Sequence, residues 1–234
     1  TFRGKKLDTG VFVYKADGVS IDGQSFKLKG NITLNIVNTI SNLTLAIKHR
    51  GPDGEGYVLG NENEIIPFYS NSKSYKSKEL KFLPKYALQQ ANLEFNFALS
   101  HVRLSIIDLT ETGHQPMCTL DEQYWITFNG EIYNYKSLTT SPNDCEAIID
   151  CYLNNQLHML DGDFAFVLYD QKNQLLITGR DPVGLKPLYI GYSESGSEIA
   201  FASEMKVLFG IENVNFVKEH EINTFNKYTI DKEI

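Results

Sequence analysis

Polar residues able to bind or react stand in this 234-residue chain where apolar runs end: Arg50 in HRGPD, Asn129, Gly130 and Glu131 in FNGEIYN, and Asp144 in NDCE. Taken singly, each has a structural reading. Arg50 follows a helical pattern and would suit the negative end of a helix dipole, while Asp144 opens a second pattern and would suit the positive end. Asn129-Gly130 is a strong hairpin signal, because both residues tolerate positive φ. The apolar run beyond it is short, so a functional turn competes with a plain hairpin. Other chemistries lack their residues. The histidines at 49, 101, 114, 158 and 220 show no ligand spacing and read as ordinary surface or core residues. Ser193-Glu-Ser-Gly-Ser197 lacks the Lys-Ser/Thr pair of a phosphate loop, and there is no dinucleotide fingerprint. Neither a metal site nor a cofactor is expected.

The elements that must position these residues follow from apolar spacing. Residues 10–15 (GVFVYK) alternate and read as a first strand. Ile36, Val37, Ile40, Leu43 and Ile47 recur at helical spacing, and Gly51-Pro52 ends that helix just beyond Arg50. Residues 61–96 include the polar, lysine-rich SNSKSYKSKELK and read as a surface insertion. Strands are expected over 97–107, 123–128, 164–169, 175–178, 188–191 and 199–202. Residues 141–144 open a second helix with a stripe of Cys145, Ile148, Ile149 and Tyr152, and 203–208 form a short one capped by Ser203. Many strands with short turns and two one-faced helices predict an α+β fold of antiparallel sheets covered by helices.

Composition narrows the class. Lys plus Arg is 22 against 29 Asp plus Glu, a net charge of −7, which speaks against nucleic acid as a partner. Three cysteines, Cys118, Cys145 and Cys151, are an odd count without zinc spacing, so a disulfide framework is not expected. Cys145 and Cys151 read as buried helix residues, and Cys118 as part of a loop. No apolar run reaches membrane-spanning length, and no signal peptide is read at the start. A soluble, intracellular protein is the expectation.

HRGPDGEGY, HVRLSIIDLTETGHQP, FNGEIYN, NDCE, LDGDFAFVLYD, GRDPVGLKPLYIGY and FASEMKVL occur in this order. On these motifs the chain resembles the class II glutamine amidotransferase (glutaminase) domain of asparagine synthetases over most of residues 10–208. The resemblance implies the N-terminal-nucleophile fold, an αββα four-layer sandwich of two antiparallel sheets. It implies a glutamine pocket in which Arg50 holds the α-carboxylate, Asp144 accepts the α-ammonium and Glu131 is a further contact. Asn129 and the Gly130 N–H would form an oxyanion hole. The motifs GRDPVGLKPLY and SEMKVL read as mostly structural, with Arg180, Asp181 and Lys186 as candidates for a domain interface.

At the family's nucleophile position the resemblance implies an N-terminal cysteine, whose thiol attacks the glutamine amide with its own α-amine as base. Here Thr9-Gly10-Val11-Phe12-Val13 occupies that segment, so Thr9 stands at the nucleophile position behind an extension of residues 1–8. Residues 9–210 are the amidotransferase domain, and 211–234 extend it. Replacing the thiol by a hydroxyl and enclosing the amine in a peptide bond both impair catalysis. The expectation is a non-catalytic, structural or glutamine-binding subunit of a larger complex. The alternative is an active glutaminase that supplies ammonia for asparagine synthesis, using Thr9 freed by cleavage after Asp8 or a separate synthetase partner. No synthetase phosphate loop occurs before Ile234, so ATP-dependent activation of aspartate is not expected of this chain. The family resemblance implies a cytoplasmic location, with an organellar one as the alternative.

Overall fold

The computed structural model describes residues 9–15, 18–19, 25–26, 35–61, 63–69, 80–91, 95–104, 111–194, 196 and 198–229. The extension over residues 1–8, the end of the expected strand at 105–107 and positions 70–79 of the lysine-rich stretch lie outside them.

In chain order the elements begin with β1 (Thr9–Lys15), β2 (Gly18–Val19), β3 (Ser25–Phe26) and α1 (Asn35–Ala46). Next come β4 (Gly54–Gly60), β5 (Ile65–Tyr69), β6 (Tyr86–Ala87), β7 (Phe97–Arg103), β8 (Met117–Cys118) and β9 (Tyr124–Ile132). The helices α2 (Tyr135–Leu138) and α3 (Asp144–Leu153) precede β10 (Gly162–Asp170), β11 (Leu175–Arg180), β12 (Tyr189–Ser193) and β13 (Glu198–Ala202). The short α4 (Met205–Leu208), β14 (Val214–Glu219) and β15 (Thr224–Thr229) complete the described chain.

One sheet has eight strands in the order β14-β12-β13-β1-β7-β4-β5-β6, and a second has five in the order β15-β11-β10-β9-β8. Pairings within them are antiparallel, apart from the short β5–β6 contact. The inner faces meet through aromatic side chains: Phe97 of β7 against Tyr169 of β10 at 4.5 Å between ring centroids, and Phe201 of β13 against Tyr228 of β15 at 5.5 Å. Because strand side chains alternate, the other face of the eight-stranded sheet carries Tyr57, Leu59, Ala98, Val102, Ala200 and Ala202. These pack with Ile40, Leu43 and Ile47 of α1 and Val207 and Leu208 of α4. Burying each large aliphatic side chain there contributes about 1.5–3 kcal/mol. Thr44 adds a polar tie, donating its hydroxyl to Ile40 O at 2.6 Å while its oxygen stands in hydrogen-bond contact with Ser100 Oγ at 2.8 Å. On the far side α3 covers β9 with Cys145, Ile148 and Ile149. The result is the expected αββα sandwich.

Four local expectations change. Asn129-Gly130 makes no hairpin turn: β9 runs through both residues to Ile132, and β10 pairs with its whole length. The short apolar tail after Gly130 remains strand because Gly162–Phe164 pair with it. Within 61–96, Phe68, Phe82, Leu83, Leu88 and Phe95 are buried. That stretch therefore supplies core residues and strands as well as surface, and the polar composition that suggested an insertion belongs mainly to 70–81. Ser203 is not the cap residue of α4; Glu204 is, and its side chain makes no capping bond. Cys118 is a buried strand residue rather than a loop residue.

Candidate functional site between the sheets

Asn129 lies in the middle of β9. Trp125 pairs with Tyr169, which faces the eight-stranded sheet, so alternation turns Trp125, Thr127 and Asn129 to the same inner side. Asn129 is 3% exposed, and among the described residues neither its amide nitrogen nor its amide oxygen has a hydrogen-bond partner. Among the described residues Thr127 Oγ1 shares that state, and the ring nitrogens of His101 make no well-aligned hydrogen bond, although the Phe128 backbone lies near enough to favour the charged imidazole. His101 follows Phe97 and Leu99 on the inner side of β7, so all three polar side chains point into one inter-sheet space. Buried polar groups are ordinarily paired, so this cluster is a candidate binding site. His101 is held neutral, with its pKa pushed down to about 3, chiefly by burial and then by the charges of His114 and Arg103.

Gly130 follows with φ +144°. A Cβ there would stand 2.0 Å from the Asp163 carbonyl and 2.8 Å from Phe164 Cα on the paired strand. Only glycine holds β9 and β10 this close, and the Asn-Gly pair is thus required by strand geometry rather than by a turn. Asp163 is itself fixed: its carboxylate accepts from Tyr133 Oη at 2.5 Å and pairs with buried Lys186 Nζ at 2.5 Å. Glu131 lies opposite Asp163 and is only partly buried.

Asp144 reaches the same strand end from α3. Asn143 caps that helix by accepting from the Cys145 N–H at 2.9 Å, which leaves the Asp144 side chain free of the capping role. Its Oδ2 instead accepts from the Ile132 N–H at 3.1 Å. Burial raises its pKa, and the Ile132 hydrogen bond offsets part of that rise. Asn129, Gly130, Glu131 and Asp144 are therefore brought together along β9.

The turn that carries Arg50 and the start of β1 at Thr9 both lie at the end of β7. Arg50 closes a 3-10 turn, Lys48–Arg50, after α1. Gly51 follows so close to β7 that a Cβ would stand 2.4 Å from the Val102 carbonyl. Thr9, the first residue of β1, pairs with the same Val102. Arg50 Nη1 donates to Glu204 Oε1 at 3.2 Å, while its Nε is buried without a partner among the described residues. β1 and β7 both approach β9.

Sequence reasoning missed His101, Thr127 and Glu204. Their types are ordinary, and only strand parity across two sheets or a contact 154 residues distant makes them visible. The Arg180–Lys186 motif turns inward. Arg180 donates to the carbonyls of Lys186, Gly184 and His220, and Asp181 accepts from the N–H groups of Val183, Leu185 and Lys186. These residues hold their own loop together. Among the described residues no group of three or more His, Cys, Asp or Glu could hold a metal ion. No described helix is long and apolar enough to cross a membrane.

With this geometry in place, comparison with known proteins is informative. Asparagine synthetase (glutamine-hydrolysing) 2 of Arabidopsis thaliana is 45% identical over 121 residues, 47% of this chain and 21% of the relative. Asparagine synthetase (glutamine-hydrolysing) 1 of Saccharomyces cerevisiae is 32% identical over 178 residues, 71% of this chain and 25% of the relative. The chain thus spans about a quarter of these relatives' length or less. Among solved structures, glutamine phosphoribosylpyrophosphate amidotransferase from B. subtilis, complexed with ADP and GMP, aligns over 96% of this chain and 49% of its own. Its TM-score is 0.60 and its identity 16%, a likeness of fold. A second structure, described as the allosteric regulatory enzyme of purine biosynthesis, gives a TM-score of 0.64 at 17% identity over 96% of this chain and 48% of its own. The profile of the family described as "Glutamine amidotransferase domain" matches residues 88–233, and the chain belongs to this class II glutamine amidotransferase domain family.

Proposed function

We propose that this asparagine-synthetase-like domain binds free glutamine between its sheets without hydrolysing it, as a subunit of a larger assembly. The observation that carries the binding half is Asn129, buried with a donor and an acceptor unspent. A glutamine side-chain amide offers the matching acceptor and donor. Free glutamine is also a zwitterion, and the site holds one group for each charge. The buried Nε of Arg50 suits the α-carboxylate, since guanidinium donors bind carboxylates directionally. Asp144 suits the α-ammonium, which would lower the carboxyl pKa that burial has raised.

The non-hydrolysing half rests on Thr9. A hydroxyl is a poorer nucleophile than a thiolate and needs a neighbouring base. The Thr9 nitrogen is bonded to Asp8 in this sequence, so the amine that would serve as base is an amide. Asn129 and Gly130 remain where an oxyanion would form, but the step that generates the oxyanion lacks its nucleophile. None of the cysteines replaces it: Cys118, Cys145 and Cys151 are all buried, and burial raises each thiol pKa. Exposed Val183, Leu185 and Ile222 around the 181–188 loop support the assembly role.

Calorimetric titration with glutamine, paired with an ammonia-release assay on protein of verified intact mass, tests the proposal. Saturable binding without ammonia release is the expected result. Absence of binding overturns the pocket reading. Ammonia release from the intact chain overturns the inactive reading, and activity confined to chains beginning at Thr9 favours a processed threonine nucleophile. Isolation of the native protein as a monomer alone removes the assembly role.

A further inference from the structure

Arg50 is gripped from outside the pocket. Its Nη1 donates to Glu204 Oε1 at 3.2 Å, and its buried Nε is left without a partner among the described residues. Glu204 occupies the N-cap position of α4, where a side chain ordinarily accepts from the first helical N–H groups, and it makes no such bond. Its oxygens meet basic side chains instead. Oε1 also meets His49 Nε2 at 3.1 Å, and Oε2 meets Lys206 Nζ at 2.9 Å. Burial favours the neutral acid here, but Lys206 and Arg50 outweigh it and hold the carboxyl below its ordinary range. Glu204 is thus shared between Arg50 and Lys206. Its contribution is direction. The Arg50 and Glu204 side chains are about four-fifths buried, at 20% and 19% exposure, unlike the exposed pairs whose net worth is small.

We propose that Glu204 is a positioning residue for Arg50, holding Nη1 so that the buried Nε edge of the guanidinium is pre-aligned for the carboxylate of an amino-acid ligand. This rests on the reading of Arg50 as the carboxylate-binding group. A guanidinium on a flexible stem loses rotamer entropy when it binds; one already tied by a hydrogen bond has lost it beforehand. The rival role for Glu204, an internal anion that competes with the ligand for Arg50, predicts the opposite sign.

The test is calorimetric titration of the full chain and of E204A and E204Q with two ligands, glutamine and its decarboxylated counterpart 4-aminobutanamide. Thermal unfolding of each protein confirms that it is folded. Losing a hydrogen bond to a charged group should weaken glutamine binding about tenfold in E204A. E204Q keeps a neutral acceptor for Nη1 and should stay within about threefold of the parent. The decarboxylated ligand, which has nothing for Arg50 to hold, should bind all three proteins alike. Equal or tighter glutamine binding in E204A overturns the positioning role, as does an equal loss for both ligands. Failure of the parent chain to bind glutamine is a separate result, which removes the pocket reading and the positioning role with it.

Discussion

Replacing Asn129 by leucine should make the protein more stable and its pocket worse. The native amide is 3% exposed with both polar atoms unpaired among the described residues, whereas the unfolded chain hydrates both. Burying an amide without partners costs about 1–3 kcal/mol on mutational evidence. Leucine has similar volume, no polar atoms and a gain from burial. Part of that gain is lost because Thr127 and His101 present polar neighbours, and part because a branched side chain must fit a site shaped for a planar one. The net expectation is about 1–2 kcal/mol of added stability. For a chain of this size that corresponds to roughly 2–8 °C in Tm. Urea unfolding of the two proteins, compared at equal m-value, measures the difference, and titration with glutamine should show about tenfold weaker binding from the missing donor. Loss of more than about 1 kcal/mol in the leucine variant, with m unchanged, would show that the Asn129 amide is satisfied within the folded protein. The argument that it is held in reserve for a ligand would then be refuted.

Four further expectations follow from the same geometry. Gly130→Ala should cost more than about 2 kcal/mol in chemical denaturation, because the new methyl meets backbone of β10 at a φ that only glycine tolerates; a change below 0.5 kcal/mol, the ordinary range for a neutral surface site, would mean the strands can part. Glutamine affinity should fall on acidification at a pH above the usual aspartate range, since Asp144 must be ionised to hold an ammonium and burial raises its pKa; Asp144→Asn should weaken binding and flatten that profile. His101, depressed to about 3, is protonated more readily unfolded than folded. Its stabilising contribution is therefore complete above the unfolded pKa near 6.5 and lost as pH falls toward 3, by up to about 5 kcal/mol, and an unaltered acid limb in His101→Gln would assign that loss to other groups. The three buried cysteines should resist an aromatic disulfide reagent until denaturant is added, and rapid native labelling of any of them would contradict their burial.

Much of the sandwich was legible because period-2 and period-3.6 patterns survive wherever one face is buried. The stripe Cys145, Ile148 and Ile149 packs as expected, and the strands near residues 164–169, 175–178 and 199–202 are found almost in place. Local chemistry misled where tertiary contact decided the outcome. Asn129-Gly130 carries turn propensity, yet a full-length partner strand holds it extended. The lysine-rich segment masked the apolar residues beside it, and Phe68 and Leu83 ended in the core. At the site, the types that bind charge were visible as Arg50 and Asp144. Their restraints were not: Glu204 and the Ile132 N–H act across distances that no spacing rule encodes.

The place of β1 within the larger sheet has a consequence for synthesis. Val11 lies between Ser100 on one side and Ala202 on the other, so the earliest described strand is an interior strand whose second neighbour emerges only near the end of the described chain. At about 5–20 residues per second, translation leaves that edge open for roughly 10–40 s after β1 leaves the ribosome. An unpaired strand rich in β-branched and aromatic residues is a template for intermolecular pairing during that interval. Yield of soluble protein should therefore depend on chaperone supply and growth temperature more steeply than the stability of the finished fold would suggest, and truncation before residue 198 should give aggregate rather than a smaller folded unit.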